Sequence, residues 1–497
     1  MTLRPALGLT LLALLLPTLL PAQASAYIPL DDPRMAAIEL LITRGEIRDP
    51  SPMIRPIREA DLRAVLEEAR LAPTSPAGRL AAGLLAAFPQ PDAEAGWEAE
   101  ARGGIQSFTS ARRDQTQPGG PGGTRGYGEI RLAARAGSLV AVTRGAGEKR
   151  LALDPDWPGD PSQDGSSLPS RFIDAYLSAQ WKYVHLTFGQ RERNWGPEGL
   201  PGIGLSDAGY PRSDLQFDLV TRQLRFTAVG ARLRAAEALS GEPVGRYLAA
   251  HRLAVTPHPA LTLAVWETAV IGDRFDTIDT DFFNPLTLLS FATRFGWGDD
   301  RNVLLGGDAS WRTGGLLLEA QAALDDYNPG GENPYPNRWA FTVGASGPLG
   351  ARAAWRLRYT TASSLAFRTL DPVENLTDAG VGLGRNFADN EQWLARVAVP
   401  VRTGWVVTPE ASYLRQGEGS PRATWPTPEE AAEVPTRFIG EVTTFLRLGL
   451  GFAGTHGPLR LSGAAAWQQT AVAGATTAKL EARLTATIGH STRGRLQ

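Results

Sequence analysis

Arg191-Glu192-Arg193-Asn194-Trp195, directly before Gly196-Pro197, is the stretch whose side chains could do the most chemistry. Two guanidiniums, an amide and an indole offer what holds a saccharide: an aromatic face for the sugar ring and charged donors for carboxylates and hydroxyls. Arg212 adds a cation a little further on. The same residues also fit a ladder of structural arginine–carboxylate pairs, with Glu192 or Asp207 as partners. Ion pairs are weak evidence of function, so the residues by themselves favour the ladder. Asp325-Asp326-Tyr327 could bind sugar hydroxyls or a cation, but pairing with arginines is the simpler reading. Asp273, Asp276, Asp279 and Asp281 offer hard oxygen donors without the loop signature of a calcium motif, which favours a solvated acidic loop.

Several chemistries find no support. His185, His251, His258, His456 and His490 are scattered, with no metal-ligand spacing. There is no Gly-x-Ser-x-Gly elbow for a serine nucleophile. The glycine run 119–123 lacks the Lys-Ser/Thr of a phosphate cradle. Cysteine is absent (Cys 0), which excludes disulfides, thiolate metal sites, a cysteine nucleophile and a lipid-modified N-terminus. The expectation is therefore a protein that is not an enzyme and that needs no cofactor or metal. With 50 Lys+Arg against 52 Asp+Glu, the charge balance also argues against nucleic acid as a partner.

The elements that must position these residues divide the 497-residue chain in three. Arg4, the apolar stretch 7–20 and the small residues Ala24-Ser25-Ala26 read as a secretory signal peptide over 1–26, with Tyr27 as first mature residue. Residues 27–88 carry helical spacing: Met35, Ile38, Leu41 and Ile42 before Gly45, then a second helix that Pro56 can open, with Ile57, Leu62, Val65, Leu66 and Ala69 on its apolar side. Leu80, Leu84, Leu85 and Phe88 follow the cap pair Ser75-Pro76. Such a small bundle needs something larger to pack on, and 89–96 reads as its linker. From Trp97 to the C-terminus the period drops to two. Leu480, Ala482, Leu484, Ala486 and Ile488 alternate with Lys479, Glu481, Arg483, Thr485 and Thr487, and 316–324, 353–359, 173–181 and 393–399 repeat the pattern. No later stretch is apolar enough for a membrane helix. A chain exported in this way and embedded in lipid must close its strands into a barrel. At about ten residues a strand plus connections, 97–497 holds about 16–18 strands. The last is expected to end near Gly489.

The ordered motifs also resemble a family. Trp195-Gly196-Pro197 followed by Leu205-Ser206-Asp207-Ala208 and Pro211 is similar to the Trp-Gly-Pro and Leu-Ser-x-Ala-x-x-Pro stretch of the Wzi-type capsule-assembly proteins. Phe283-Asn284-Pro285, Gly307-Asp308, Leu324-Asp325-Asp326-Tyr327, Arg358-Tyr359-Thr360 and Gly382-Leu383-Gly384 follow in family order. The opening Tyr27-Ile28-Pro29-Leu30 and Leu41-Ile42-Thr43-Arg44-Gly45 resembles the family's helical start. The resemblance implies an all-β outer-membrane barrel of 18 strands with a periplasmic helical bundle. It also implies a lectin-like role, retaining capsular or extracellular polysaccharide at the cell surface, with Arg191, Arg193, Asn194, Trp195, Arg212, Asp325, Asp326 and Tyr327 as candidate polysaccharide-binding residues. The expected partners are that polysaccharide and outer-membrane lipid, and the expected state is a monomer. A porin or polysaccharide-export channel is the alternative function.

Overall fold

Alternation of apolar and polar residues gives a strand two unlike faces, and a closed sheet lets one face meet lipid while the other meets a polar interior. A computed structural model shows that closure. It describes residues 24–90, 95–112, 119–159, 169–273, 301–326, 335–402, 404–423, 425–431 and 433–496. The first strands are β1 (Ala95–Phe108), β2 (Gly123–Ala136), β3 (Leu139–Glu148), β4 (Ser170–Gln180), β5 (Val184–Gln190) and β6 (Ser213–Val220). Next come β7 (Leu224–Glu237), β8 (Pro243–His258), β9 (Leu261–Asp273), β10 (Arg301–Thr313), β11 (Leu316–Asp326), β12 (Arg338–Leu349) and β13 (Ala353–Ala362). A small ribbon, β14 (Thr377–Asp378) and β15 (Val381–Gly382), forms a separate two-stranded sheet. The wall resumes with β16 (Asn390–Arg402), β17 (Trp405–Gln416), β18 (Thr443–His456), β19 (Leu459–Val472) and β20 (Ala475–Arg495).

Eighteen of these strands form one antiparallel sheet, and β20 closes it on β1, with Gly96 opposite Arg495 and Phe108 opposite Arg483. Closure leaves no open edge, so every wall strand has a hydrogen-bonded neighbour on both sides. The two faces separate as the alternation predicts. Leu480, Ile488 and Phe188 are 67%, 64% and 63% exposed on the outside, while Arg252 and Arg358 are 2% and 1% exposed on the inside. No helix among the described residues is long and apolar enough to cross a membrane.

Two strands depart from the sequence reading. Arg144 of β3 faces Asp174 and the next residue, Gly145, faces Phe172, so Ile173 is the extra residue of a bulge. The bulge swings Phe172 to the outside, 57% exposed, and buries Ile173. The end of β20 is the second departure: pairing with the start of β1 carries it past Gly489 to Arg495.

One end of the barrel is closed by short turns, such as 137–138, 259–260, 314–315 and 457–458, and most connections at the other end are long. The helices α1 (Met35–Arg44), α2 (Glu59–Glu68) and α3 (Pro76–Ala87) sit at the short-turn end. Gly45, at φ 74°, ends α1 and returns its N–H to Ile42 O at 2.9 Å. Ser75 caps α3 by accepting from Gly78 N at 2.9 Å, with Pro76 in the first turn. The second helix opens at Glu59 rather than at Pro56, because Arg55 and Ile57 are held extended by backbone bonds to Asn194 and Ile28. Ile38, Leu41, Leu62, Val65, Leu80 and Leu84 form the bundle core, which continues onto Ala354 and Val406 of the wall. Arg44 Nη1 donates to Ala353 O at 2.6 Å, tying α1 to a short turn.

Residues 1–23 of the expected signal peptide lie outside the described residues. Ala24 to Ala26 dock on the wall beside Val140, Val142 and Tyr176, and Ser25 exchanges two hydrogen bonds with Gln180, at 3.0 and 2.9 Å.

Candidate functional site

The loop 191–212 does not stand out from the barrel mouth; it folds back into the lumen. Asn194 forms a two-way backbone bridge with Arg55 of the bundle, at 2.8 and 3.0 Å, so material from the two ends of the barrel meets inside it. Gln321, facing inward from β11, clamps the loop twice. Its Oε1 accepts from Ile203 N at 2.8 Å and its Nε2 donates to Trp195 O at 2.8 Å. Ser206 N donates to Leu383 O at 2.8 Å, which joins this loop to the loop 363–389. Trp195, Ile203, Leu205, Phe367, Leu376 and Leu383 then share an apolar cluster with inward residues of the wall. Trp266 of β9 lies in that cluster, and it requires glycine on both sides. A Cβ on Gly306 would stand 2.2 Å from its ring, and one on Gly204 would stand 2.5 Å from it. The two loops and the bundle thus plug the lumen over β7 to β13.

The predicted ligand cluster forms part of this plug. Arg191 stacks on the Tyr27 ring, 3.9 Å from its centroid, and donates to Gln216 Oε1 at 2.5 Å. Arg193 pairs with Asp214 at 2.6 Å. The ladder reading names the right kind of contact with the wrong partners. Asp214 and Gln216 come from the adjacent strand β6, whereas Glu192 approaches Arg171 at 3.8 Å. Asn194 holds the local turn, accepting from Gly202 N at 2.6 Å and donating to Leu200 O at 2.9 Å. Trp195 is 3% exposed, so its ring packs on protein. Asp325 accepts from Phe367 N at 2.8 Å and anchors the second loop. Arg212 lies nearer the mouth, 3.8 Å from Asp378, and burial pulls its pKa below the usual guanidinium range. Asp326 ends β11, and Tyr327 lies outside the described residues, as do Asp276, Asp279 and Asp281. The structure brings Arg191, Arg193, Asn194 and Trp195 together and sets Asp325, near the end of β11, against the other plugging loop.

Beside the plug, against β1–β4 and β19–β20, a cavity of about 750 Å³ remains. Arg102, Tyr127, Arg144, Arg171, Glu192 and Arg460 are among its lining residues. Arg144 links the bundle to the wall, 2.7 Å from Asp31 and 3.0 Å from Glu129. Arg171 lies over the Tyr210 ring at 5.4 Å, and Tyr210 donates to Asp154 at 2.6 Å. An aromatic face beside an arginine and carboxylates is chemistry suited to hydroxylated or acidic sugars. Among the described residues no group of three or more His, Asp or Glu side chains could hold a metal ion.

Sequence reasoning missed Gln321, Trp266 and the loop 363–389 as parts of the plug. Gln321 is one polar residue among many on an inward face. Only its clamp on a loop 118 residues away sets it apart.

No family model matches the chain, and no curated protein matches it. Similarity appears among solved structures. The Acinetobacter baumannii protein OccAB4 is 10% identical, covering 80% of this chain and 99% of its own at a TM-score of 0.47. OprD of Pseudomonas aeruginosa is 11% identical, covering 81% and 96% at 0.45. Wzi of Escherichia coli, described as an outer-membrane protein involved in group 1 capsule assembly and as a carbohydrate-binding β-barrel, is 15% identical. It covers 93% of this chain and 99% of its own at a TM-score of 0.64. The chain thus has the fold of the Wzi-type capsule-assembly barrel.

Proposed function

We propose that this chain is an outer-membrane, lectin-like protein that binds and retains capsular or extracellular polysaccharide at the cell surface, without catalysing a reaction. The observation that carries this reading is the occluded lumen. Loops from the long-loop end fill the lumen over β7 to β13 and are locked to the bundle, an arrangement suited to holding a ligand at the mouth rather than passing it through. In outer-membrane barrels the long-loop end faces the exterior, where an exported polysaccharide would be met.

In this reading Arg191, Arg193, Asn194, Trp195 and Asp325 position the loops. Arg212 binds the sugar, together with Asp326 and Tyr327, which the sequence nominates, and Arg171, which lines the polar cavity and lies over the Tyr210 ring. The likeness in fold to a carbohydrate-binding barrel supports the same assignment. An export channel would instead need a continuous wide passage, which the plug opposes.

The test is deletion of the gene with quantitative surface labelling. Cells lacking the protein should release their polysaccharide into the medium while making the same total amount. Unchanged cell-attached polysaccharide would refute the retention role.

A further inference from the structure

The outer wall at the long-loop end carries a second arrangement that neither the plug nor the polar cavity uses. On β12, β13, β16 and β17, Trp339, Phe341, Tyr359, Trp393 and Tyr413 form an outward aromatic row. Trp339–Phe341, Phe341–Tyr359 and Tyr359–Trp393 ring centroids are 5.7, 5.7 and 4.6 Å apart, and Trp393 is paired with Tyr413 across strands. Trp393 and Tyr413 are 48% and 40% exposed, and below them the outward face turns to Leu357 and Ala395. An outward aromatic row above an apolar face marks the boundary between acyl chains and headgroups.

One outward rung above the Trp393–Tyr413 pair, about 5 Å toward the mouth at the usual strand rise and tilt, Glu391 faces Arg415. Arg415 donates to one carboxylate oxygen of Glu391 at 3.0 Å, and Arg437, from the loop after β17, donates to the other at 3.2 Å. Both guanidiniums lie over the Phe438 ring, at 4.3 and 5.4 Å. Two cations share one anion. Arg415 and Arg437 keep side-chain exposures of 37% and 36%, so their forks also reach outward.

The loop that brings Arg437 there is built rather than draped. Buried Asp389 accepts from Gly419 N at 3.0 Å, from Ile439 N at 2.9 Å and from Phe438 N. Ser364 holds Thr436 and Pro435 at 2.9 and 2.6 Å.

We propose that Arg415 and Arg437 form a binding site for the phosphate of a phosphorylated glycolipid in the outer leaflet, with Trp393, Tyr413 and Tyr359 against the top of its acyl chains. The forked donors match phosphate oxygens, and the aromatic row sets the pair at headgroup depth. The site holds the barrel wall to its lipid and is separate from the polysaccharide reading.

The test uses the whole protein in neutral phosphatidylcholine nanodiscs doped with a bisphosphorylated lipid A-type glycolipid or with its dephosphorylated form. Retained glycolipid is counted by native mass spectrometry. The parent should retain the phosphorylated lipid about tenfold better than the dephosphorylated one, and Arg415→Gln/Arg437→Gln should abolish that preference. Arg222→Gln, on a short turn at the other end, should behave as the parent. Arg437→Gln alone changes no residue of a wall strand, and it should lower the preference about threefold even if the double variant does not fold. Equal retention of both lipids by the parent, or an unchanged preference in a folded Arg437→Gln protein, overturns the proposal. So does displacement of the lipid by millimolar inorganic phosphate, which would make the ligand a free anion.

Discussion

At the scale of single residues, inward charges hold the wall together as pairs, and their burial sets the cost of breaking them. Arg252 and Asp308 form a two-pronged bridge at 3.0 and 2.7 Å, each 1% exposed at its side chain. Removing one partner strands a buried charge, a loss on the order of 3 kcal/mol, whereas an exposed surface change usually costs under about 0.5 kcal/mol. Asp308→Asn should therefore shift the urea-unfolding midpoint of the refolded barrel strongly, as read by tryptophan fluorescence. Arg222→Ala, on an exposed turn, should leave it in place. Equal midpoints would mean that water reaches the pair. Arg191, Arg193 and Trp195 belong to the same class of buried residue. Their types were legible in the sequence, but their partners were not, because Tyr27, Asp214 and Gln216 reach them only after the loop has turned inward.

At the scale of elements, the plug depends on a close approach. Gly204→Val would drive the loop off Trp266, so the variant should show current steps in planar bilayers where the parent shows few. Parent-like silence from a folded Gly204→Val barrel would place the obstruction elsewhere. The bundle adds a pH dependence. Asp32 accepts from Arg34 N and Nε, both at 2.9 Å. Burial alone would raise the Asp32 pKa, but the Arg34 guanidinium outweighs it and holds the carboxyl well below its ordinary 3.8. A depressed carboxyl stabilises the fold above its unfolded value and loses that contribution as pH falls below it. In pepsin digests of the protein in vesicles, the parent bundle should outlast Asp32→Asn at pH about 5, and the gap should narrow at pH about 3. A gap that does not change with pH would separate bundle stability from this pair. The helices were readable from Gly45 and Ser75-Pro76, and most strands from their alternation. The bulge at Ile173 was not, because one inserted residue leaves the local pattern apolar on either reading. The extra length of β20 was hidden for a related reason: its end is fixed by where β1 begins, nearly 400 positions away.

At the scale of the whole molecule, eighteen strands enclose a lumen that is filled over one side and polar over the other. The two-faced strands, with no later stretch apolar enough for a membrane helix, made the barrel legible from the sequence. The plug arises from long-range loop contacts with no local signature, so it had to be seen. On the proposed reading, a barrel plugged in this way and presenting arginines, carboxylates and tyrosines at its long-loop end binds rather than conducts. The most direct measurement of that claim is a glycan array, with purified capsular and extracellular polysaccharides immobilised and the refolded, full-length barrel applied in detergent. Saturable binding to acidic polysaccharide, weakened at least tenfold by Arg171→Gln/Arg212→Gln with the heat-modifiable gel shift intact, is the expected result. No binding to any polysaccharide by a correctly folded barrel would contradict it.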